Sequence, residues 1–160
     1  MQSDTDQIFE RIAELISHNP DAIAFAGGAS DDWIDKAEKA LSLKFPPSFV
    51  TYLRTFGGGM IGGEQVNGIL GIEFEEACGP DIVYNTRVER RQFGIPETFV
   101  CLVSNEGDEM FYLDTSTVTD TNENPVVRVL IEQVDTPQHY AQNFAEFLLK
   151  RIEFYLAAST

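Results

Sequence analysis

The spacing of apolar residues changes along the chain, from a helical period near the N-terminus to short apolar runs in the second half. The first helix is predicted to begin at Ser3 or Asp4, either of which can cap its free N–H groups. It should end at Asn19-Pro20. Its apolar stripe recurs every three or four residues and consists of Ile8, Ile12, Leu15 and Ile16.

Two further helices are predicted on either side of a Pro-Pro turn. Ser30 can cap the first of them, and proline is well placed at the start of the second, which should stop at the glycines from Gly57. The inner side of the first carries Trp33, Ile34, Ala37 and Leu41, and that of the second carries Phe49, Leu53 and Phe56. On a helix beside Ile34 and Ala37, we interpret Trp33 as part of the core or its cover, and a partner-binding anchor stays open as the alternative.

The period changes again after the glycines. Seven of the twelve glycines fall between residues 57 and 71, a pattern that favours a hairpin or bulged strands with close backbone approaches. Residues 81–93 are predicted to form a helix, and residues 99–103, 110–114 and 125–131 to form strands. Short connections between these strands favour antiparallel pairing.

A long helix is predicted to close the chain. It should begin at about Thr136, with Asp135 or Thr136 as its cap and Pro137 in its first turn. Its apolar residues recur at helical spacing: Tyr140, Phe144, Phe147, Leu148, Ile152 and Tyr155. The 160 residues therefore predict one α+β domain, an antiparallel sheet flanked by N-terminal helices and a long C-terminal helix.

The net charge of the chain narrows the classes of partner that it can bind. The chain has 26 acidic and 11 basic side chains and a formal net charge of −15. Residues 57–125 alone hold 13 acidic and 3 basic side chains. A nucleic-acid binder needs a basic stripe, and an anionic membrane would repel this surface, so we expect neither as a partner. A basic protein is the partner that this charge favours.

No pattern predicts a catalytic, cofactor or metal site. The glycine cluster at residues 57–63 follows a helix and lacks the lysine of a phosphate-binding loop. Asp120, Asn122 and Asn124 match the first ligands of a calcium loop, but Pro125 stands where that loop needs glycine. The first residues have no basic and apolar signal-peptide regions, and no segment has the roughly 20 apolar residues of a membrane span. We therefore expect a cytoplasmic protein without catalytic residues, cofactors or bound metals.

Several segments, in order, resemble the SUKH superfamily, which includes yeast cell-wall-assembly regulators and many bacterial immunity proteins. The resemblance runs from about residue 28 to 153. Its first part is a helix, a proline turn, an aromatic helix and a glycine pair, carried by Ile34, Glu38, Leu41, Pro46, Pro47, Tyr52, Leu53, Gly57 and Gly58. Its later part is carried by Gly107, Tyr112, Leu113, Asp114 and Pro125. Phe45 stands where the family pattern usually has leucine.

The resemblance implies a single α+β domain that binds proteins and has no catalytic residues. In bacteria, such proteins commonly bind and block toxins, many of them nucleases. The motif residues are expected to maintain the fold, with Asp114 capping the turn after its strand. Acidic residues of the middle segment are the expected partner contacts: Glu73, Glu75, Glu76, Asp81, Glu106, Asp108 and Glu109.

Two alternatives to an immunity protein stay open. One is an intracellular adaptor or regulator of cellular proteins, as the yeast members suggest. The other is a small-molecule enzyme whose cleft is built by the glycine-rich segment, which would require a deep pocket with paired, pKa-shifted groups. The sequence leaves the oligomeric state open.

Overall fold

The helices and strands follow one another largely as the pattern of apolar residues predicts. A computed structural model describes residues 3–77, 79–105, 108–133 and 135–159. Within them the helices are α1 (Asp4–His18), α2 (Asp31–Leu41), α3 (Pro47–Thr55), α4 (Ile82–Phe93) and α5 (Phe144–Ala158). The strands are β1 (Ile23–Phe25), β2 (Gly59–Ile61), β3 (Glu64–Val66), β4 (Phe99–Asn105), β5 (Glu109–Asp114), β6 (Val126–Leu130) and β7 (Gln138–Ala141).

The caps of the first two helices are the residues that the sequence indicates. The Ser3 hydroxyl accepts a hydrogen bond from the Asp6 N–H, 3.2 Å away, and the Ser30 hydroxyl accepts one from the Trp33 N–H, 3.3 Å away. These bonds satisfy backbone donors that have no partner inside a first helical turn. Both predicted starting points are confirmed.

The strands form two antiparallel sheets, one more than the sequence predicts. Strands β1, β2 and β3 make a small sheet, and β4 to β7 make a four-stranded sheet in chain order. The β2–β3 hairpin is the one that the glycine-rich segment predicts. Asn67 connects the sheets, since its N–H donates to the Leu102 carbonyl and its Nδ2 donates to the Cys101 carbonyl, each at 2.9 Å.

A cluster of buried residues packs on each face of the larger sheet, because successive side chains along a strand point to opposite faces. Leu102 and Phe111 point into the main core with α3 and α5, whereas Cys101 and Tyr112 belong to a second cluster that packs near the end of α4. The main core is rich in aromatic contacts. The Phe49 ring, for example, lies 4.9 Å from the Phe144 ring, centroid to centroid, and so joins α3 to α5.

The closing helix begins later than predicted. Residues 138–141 are a strand that pairs with β6, and α5 starts at Phe144, where the Asn143 side chain accepts from the Glu146 N–H at 2.9 Å. The prediction of a start at Thr136 is therefore wrong. Tyr140 keeps helical spacing with Phe144, but it reaches the same core from a strand, with its ring 4.7 Å from that of Phe111.

Candidate partner-binding surface

Three of the predicted contact residues, Glu73, Glu75 and Glu76, lie together in the loop that follows β3. All three are exposed, whereas Phe74 between them is buried and packs edge-on against Trp33 of α2, with ring centroids 5.8 Å apart. The Glu73 carboxylate also lies 3.4 Å from the Lys36 ammonium. The apolar residue thus anchors the loop on α2 and leaves its carboxylates in solvent.

Helix α2 adds carboxylates next to this loop. Asp31, Asp32 and Asp35 are exposed on it, and Asp31 pairs with Arg54 of α3 at 2.7 Å. Carboxylates in the first turn also suit the positive end of a helix dipole. We call this set the acidic surface: Asp31, Asp32, Asp35, Glu73, Glu75 and Glu76.

A groove opens beside the acidic surface. It has a volume of about 510 Å³ and runs between residues 26–30 and residues 69–71, with the half-buried Trp33 on its wall. We call it the Trp33 groove. The sequence analysis places Trp33 in the core or over it, and the structure confirms that position while leaving part of the ring accessible in the groove.

Asp81 is predicted to be a partner contact, but the structure places it in the interior. It is fully buried, and its Oδ1 accepts from the Tyr84 N–H at 2.8 Å, so that it caps α4. Burial raises the pKa of this carboxyl, while hydrogen bonds from Tyr84 and Val83 and the charge of Arg87 act in the opposite direction. Its Oδ1 is occupied at the start of a helix, its Oδ2 is buried without a hydrogen-bond partner, and the carboxylate does not form part of an exposed acidic patch.

The other predicted contacts lie on a different part of the molecule. Asp108 is exposed, and Glu109 of β5 forms ion pairs with Arg128 of β6 and, at 3.8 Å, with Arg151 of α5. Glu106 lies outside the described residues. The ion pairs of Glu109 run to β6 and α5 rather than to α2 or the Glu73 loop, so the predicted set divides into two.

The family-motif residues mostly pack inside the fold. Pro46 and Pro47 start α3, as predicted, and Pro125 accepts from the Asp114 N–H through its carbonyl, 3.0 Å away. Gly107 lies outside the described residues. The buried apolar members are Ile34, Leu41, Tyr52, Leu53, Tyr112 and Leu113.

Two motif carboxylates hold turns. The Glu38 carboxylate accepts from the Phe45 N–H at 2.8 Å, across the Pro-Pro turn, and lies 3.5 Å from the Lys44 ammonium. The Asp114 carboxylate accepts from the Ser116 N–H at 3.0 Å, the turn cap that the sequence predicts. Each carboxylate therefore accepts a hydrogen bond from a backbone N–H group of its own turn.

Glu123 is a buried carboxylate that the sequence analysis did not single out. Its two oxygens accept from the Ser48 N–H at 3.0 Å and from the Ser48 hydroxyl at 2.7 Å. Ser48 lies in the first turn of α3, and the Pro46 side chain cannot cap that helix. Glu123 stands in a polar loop 75 residues away, and no local pattern connects it to α3.

A second buried polar cluster joins α4 to the larger sheet. The Glu89 carboxylate lies 3.4 Å from the Tyr112 hydroxyl and 3.9 Å from the Cys101 sulfur. Burial is the main cause that raises the pKa of the Cys101 thiol, and the negative charge of Glu89 adds to it. The thiol therefore stays protonated, as a buried thiol in such surroundings does.

Neither a metal cluster nor a membrane helix occurs in the part of the chain that the structure describes. No group of three or more histidine, cysteine or acidic side chains is placed to hold a metal ion there. None of the described helices is long and apolar enough to cross a bilayer.

The family comparison agrees with the motifs. The sequence model of a family described as SMI1-KNR4 cell-wall, SUKH_6, matches residues 31–148. The match includes α2 and all the motif residues that pack around the Pro-Pro turn and the larger sheet. The chain belongs to this family and thus to the SUKH superfamily, and the α+β architecture expected from the resemblance is confirmed.

Proposed function

We propose that this chain is a non-enzymatic immunity protein that binds and neutralises a cognate bacterial toxin. The observation that carries the proposal is the acidic surface, which lies within the matched family region and sets six carboxylates beside three bases, Lys36, Lys39 and Arg54. The family supports binding to another protein. The motif residues are occupied in the fold, which leaves surface complementarity as the means of recognition.

A nuclease toxin fits this surface in charge. Such an enzyme presents a cationic groove to phosphates, and an acidic protein can occupy that groove with a fast, salt-sensitive association rate. Occlusion of this kind requires no chemistry from the inhibitor.

A second candidate is an adaptor or regulator that binds cellular proteins in the cytoplasm. The family description refers to the cell wall, which favours a regulatory role for at least some members. The two functions differ in their partners. An immunity protein has one toxin as partner, whereas a regulator binds several resident proteins.

Growth rescue tests the proposal. The protein encoded by the open reading frame next to this gene is expressed from an inducible promoter, with and without this chain. We expect growth arrest alone and recovery with the chain, together with a stable complex of the two proteins after purification. Arrest that persists while the chain is well expressed, with several resident proteins recovered on affinity capture, would instead support the regulator.

A further inference from the structure

We infer that the Trp33 groove receives an arginine- or lysine-bearing loop of the protein partner. The inference rests on the proposed function in one respect, namely that the partner is a protein. It goes further because it names the docking site and the chemistry of the segment that enters it. The groove volume of about 510 Å³ is enough for a few side chains.

The charge around the groove selects a cation. Asp31 and Asp32 follow directly on its Ser30 end, and Glu73 lies two residues after its Gly71 end. Each of these carboxylates is exposed, and only Lys36 and Arg54 pair with them among the described contacts. A guanidinium or ammonium entering the groove therefore gains attraction from both ends, whereas a phosphate or carboxylate would be repelled.

Some of the N–H groups of the groove wall are engaged inside the fold. The N–H groups of Gly27, Ala29 and Ile69 donate inward, to the carbonyls of Phe56, Leu53 and Gly57. These three N–H groups are therefore not available to an anion.

Two carbonyl oxygens of the same segment point to the outer side of the groove wall. Every described peptide bond is trans, so the Ala26 and Gly28 carbonyls point away from the acceptors of the Gly27 and Ala29 N–H groups. Among the hydrogen bonds of the described residues, neither carbonyl accepts one. Two backbone acceptors are thus left for a donor from outside.

Trp33 supplies an aromatic face for the same charge. The Lys36 ammonium already lies 4.5 Å from the centroid of its ring, and it pairs with Glu73 at 3.4 Å. This internal contact shows that the ring and the carboxylate together hold a cation. An arginine from a partner can stack on the accessible part of the ring in the same electrostatic environment.

Fluorescence gives a direct test because Trp33 is the only tryptophan in the chain. The full chain is titrated with an octa-arginine peptide at low salt, and the emission of Trp33 is followed. We expect a saturable change in intensity with octa-arginine and none with octaglutamate. In the variant E73Q/E75Q/E76Q the dissociation constant should rise about tenfold.

The matched control removes three charges elsewhere. Glu132, Asp135 and Glu153 are exposed on other segments, so E132Q/D135N/E153Q changes the net charge equally. We expect its dissociation constant to stay within about twofold of the wild-type value. Equal weakening by both triple variants, or binding without a change in Trp33 emission, would show general attraction to an acidic protein and would overturn the inference.

The growth experiment separates this inference from the proposed function. If E73Q/E75Q/E76Q and W33F bind and neutralise the toxin as well as the wild type, the protein is an immunity protein but the groove is not its docking site. If octa-arginine binds at Trp33 and no toxin is neutralised, the groove recognises cations and the immunity role fails.

Discussion

At the scale of single residues, the Glu123 side chain holds the start of α3, an element that is distant from it in sequence. It is only 4% exposed, and its carboxylate satisfies both polar groups of Ser48 at the positive end of α3. Through this contact the loop before β6 holds the start of the helix that carries Tyr52 and Leu53.

Removing this carboxylate should destabilise the protein. We expect Glu123→Ala to lower the free energy of unfolding by about 2 kcal/mol, because the buried Ser48 N–H loses its acceptor. Urea unfolding followed by circular dichroism measures the change. Asp120→Asn, an exposed acid in the same loop, is the control and should stay within about 0.5 kcal/mol of wild type. Equal stability of Glu123→Ala and wild type would contradict this role.

The same residue gives a pH dependence with a defined sign. Burial raises the pKa of Glu123 above its ordinary value, although the Ser48 hydrogen bonds oppose the shift. The folded protein therefore binds this proton more tightly than the unfolded chain, and acidification through that window adds stability. The free energy of unfolding of wild type should thus rise relative to Glu123→Gln between pH 7 and pH 4. A constant difference would show that Glu123 titrates normally.

At the scale of elements, the turn after α3 and the segment after β3 depend on a close backbone approach. Gly57 and Gly58 have φ of +79° and +137°, and a Cβ on Gly68 would overlap the Gly57 carbonyl oxygen. The approach allows the Ile69 N–H to bond that carbonyl, and so places residues 69–71 opposite residues 26–30 to form the Trp33 groove.

Gly68→Ala should therefore be strongly destabilising, by about 3 kcal/mol, because backbone rather than a flexible side chain blocks the new methyl group. Gly63→Ala is the matched control, since Gly63 lies in the nearby β2–β3 turn and a Cβ there meets nothing within 4 Å. We expect Gly63→Ala to be neutral or stabilising by about 0.5 kcal/mol. Thermal unfolding measures the melting temperatures of both variants. Similar melting temperatures would show that the close backbone approach of Gly68 to Gly57 is dispensable.

Elements with local signals could be predicted from the sequence, and elements set by distant contacts could not. Ser30 followed by an apolar stripe indicates α2, and the glycine-rich segment indicates the β2–β3 hairpin. Strand β7 was missed because Tyr140 keeps helical spacing, while its pairing with β6 depends on tertiary contacts. The Glu73 loop could be predicted as a partner contact from its charge. The burial of Asp81 and the groove beside Trp33 could not be predicted, because both depend on contacts between segments that are distant in sequence.

At the scale of the whole molecule, the negative charge is divided by the fold into separate regions. The acidic surface lies on α2 and the Glu73 loop, whereas Glu64 of β3 and Glu109 of β5 face Arg151, a buried residue of α5. Arg151 and Glu64 form a bidentate pair, with distances of 2.7 and 2.9 Å. Glu64 and Glu109 are thus neutralised by the fold, whereas two of the six carboxylates of the acidic surface have a basic partner among the described ion pairs.

Unneutralised charge should make the stability of the molecule depend on salt. A net charge of −15 repels itself more strongly in the compact state than in the unfolded chain, so screening favours folding. We expect the urea midpoint to rise between 10 and 300 mM NaCl, and to rise less in E73Q/E75Q/E76Q, from which three crowded charges are gone. Urea is used because it is uncharged. A midpoint that falls with salt would mean that exposed pairs such as Arg54–Asp31 outweigh the repulsion, and the acidic surface would then be balanced within the protein rather than available to a partner.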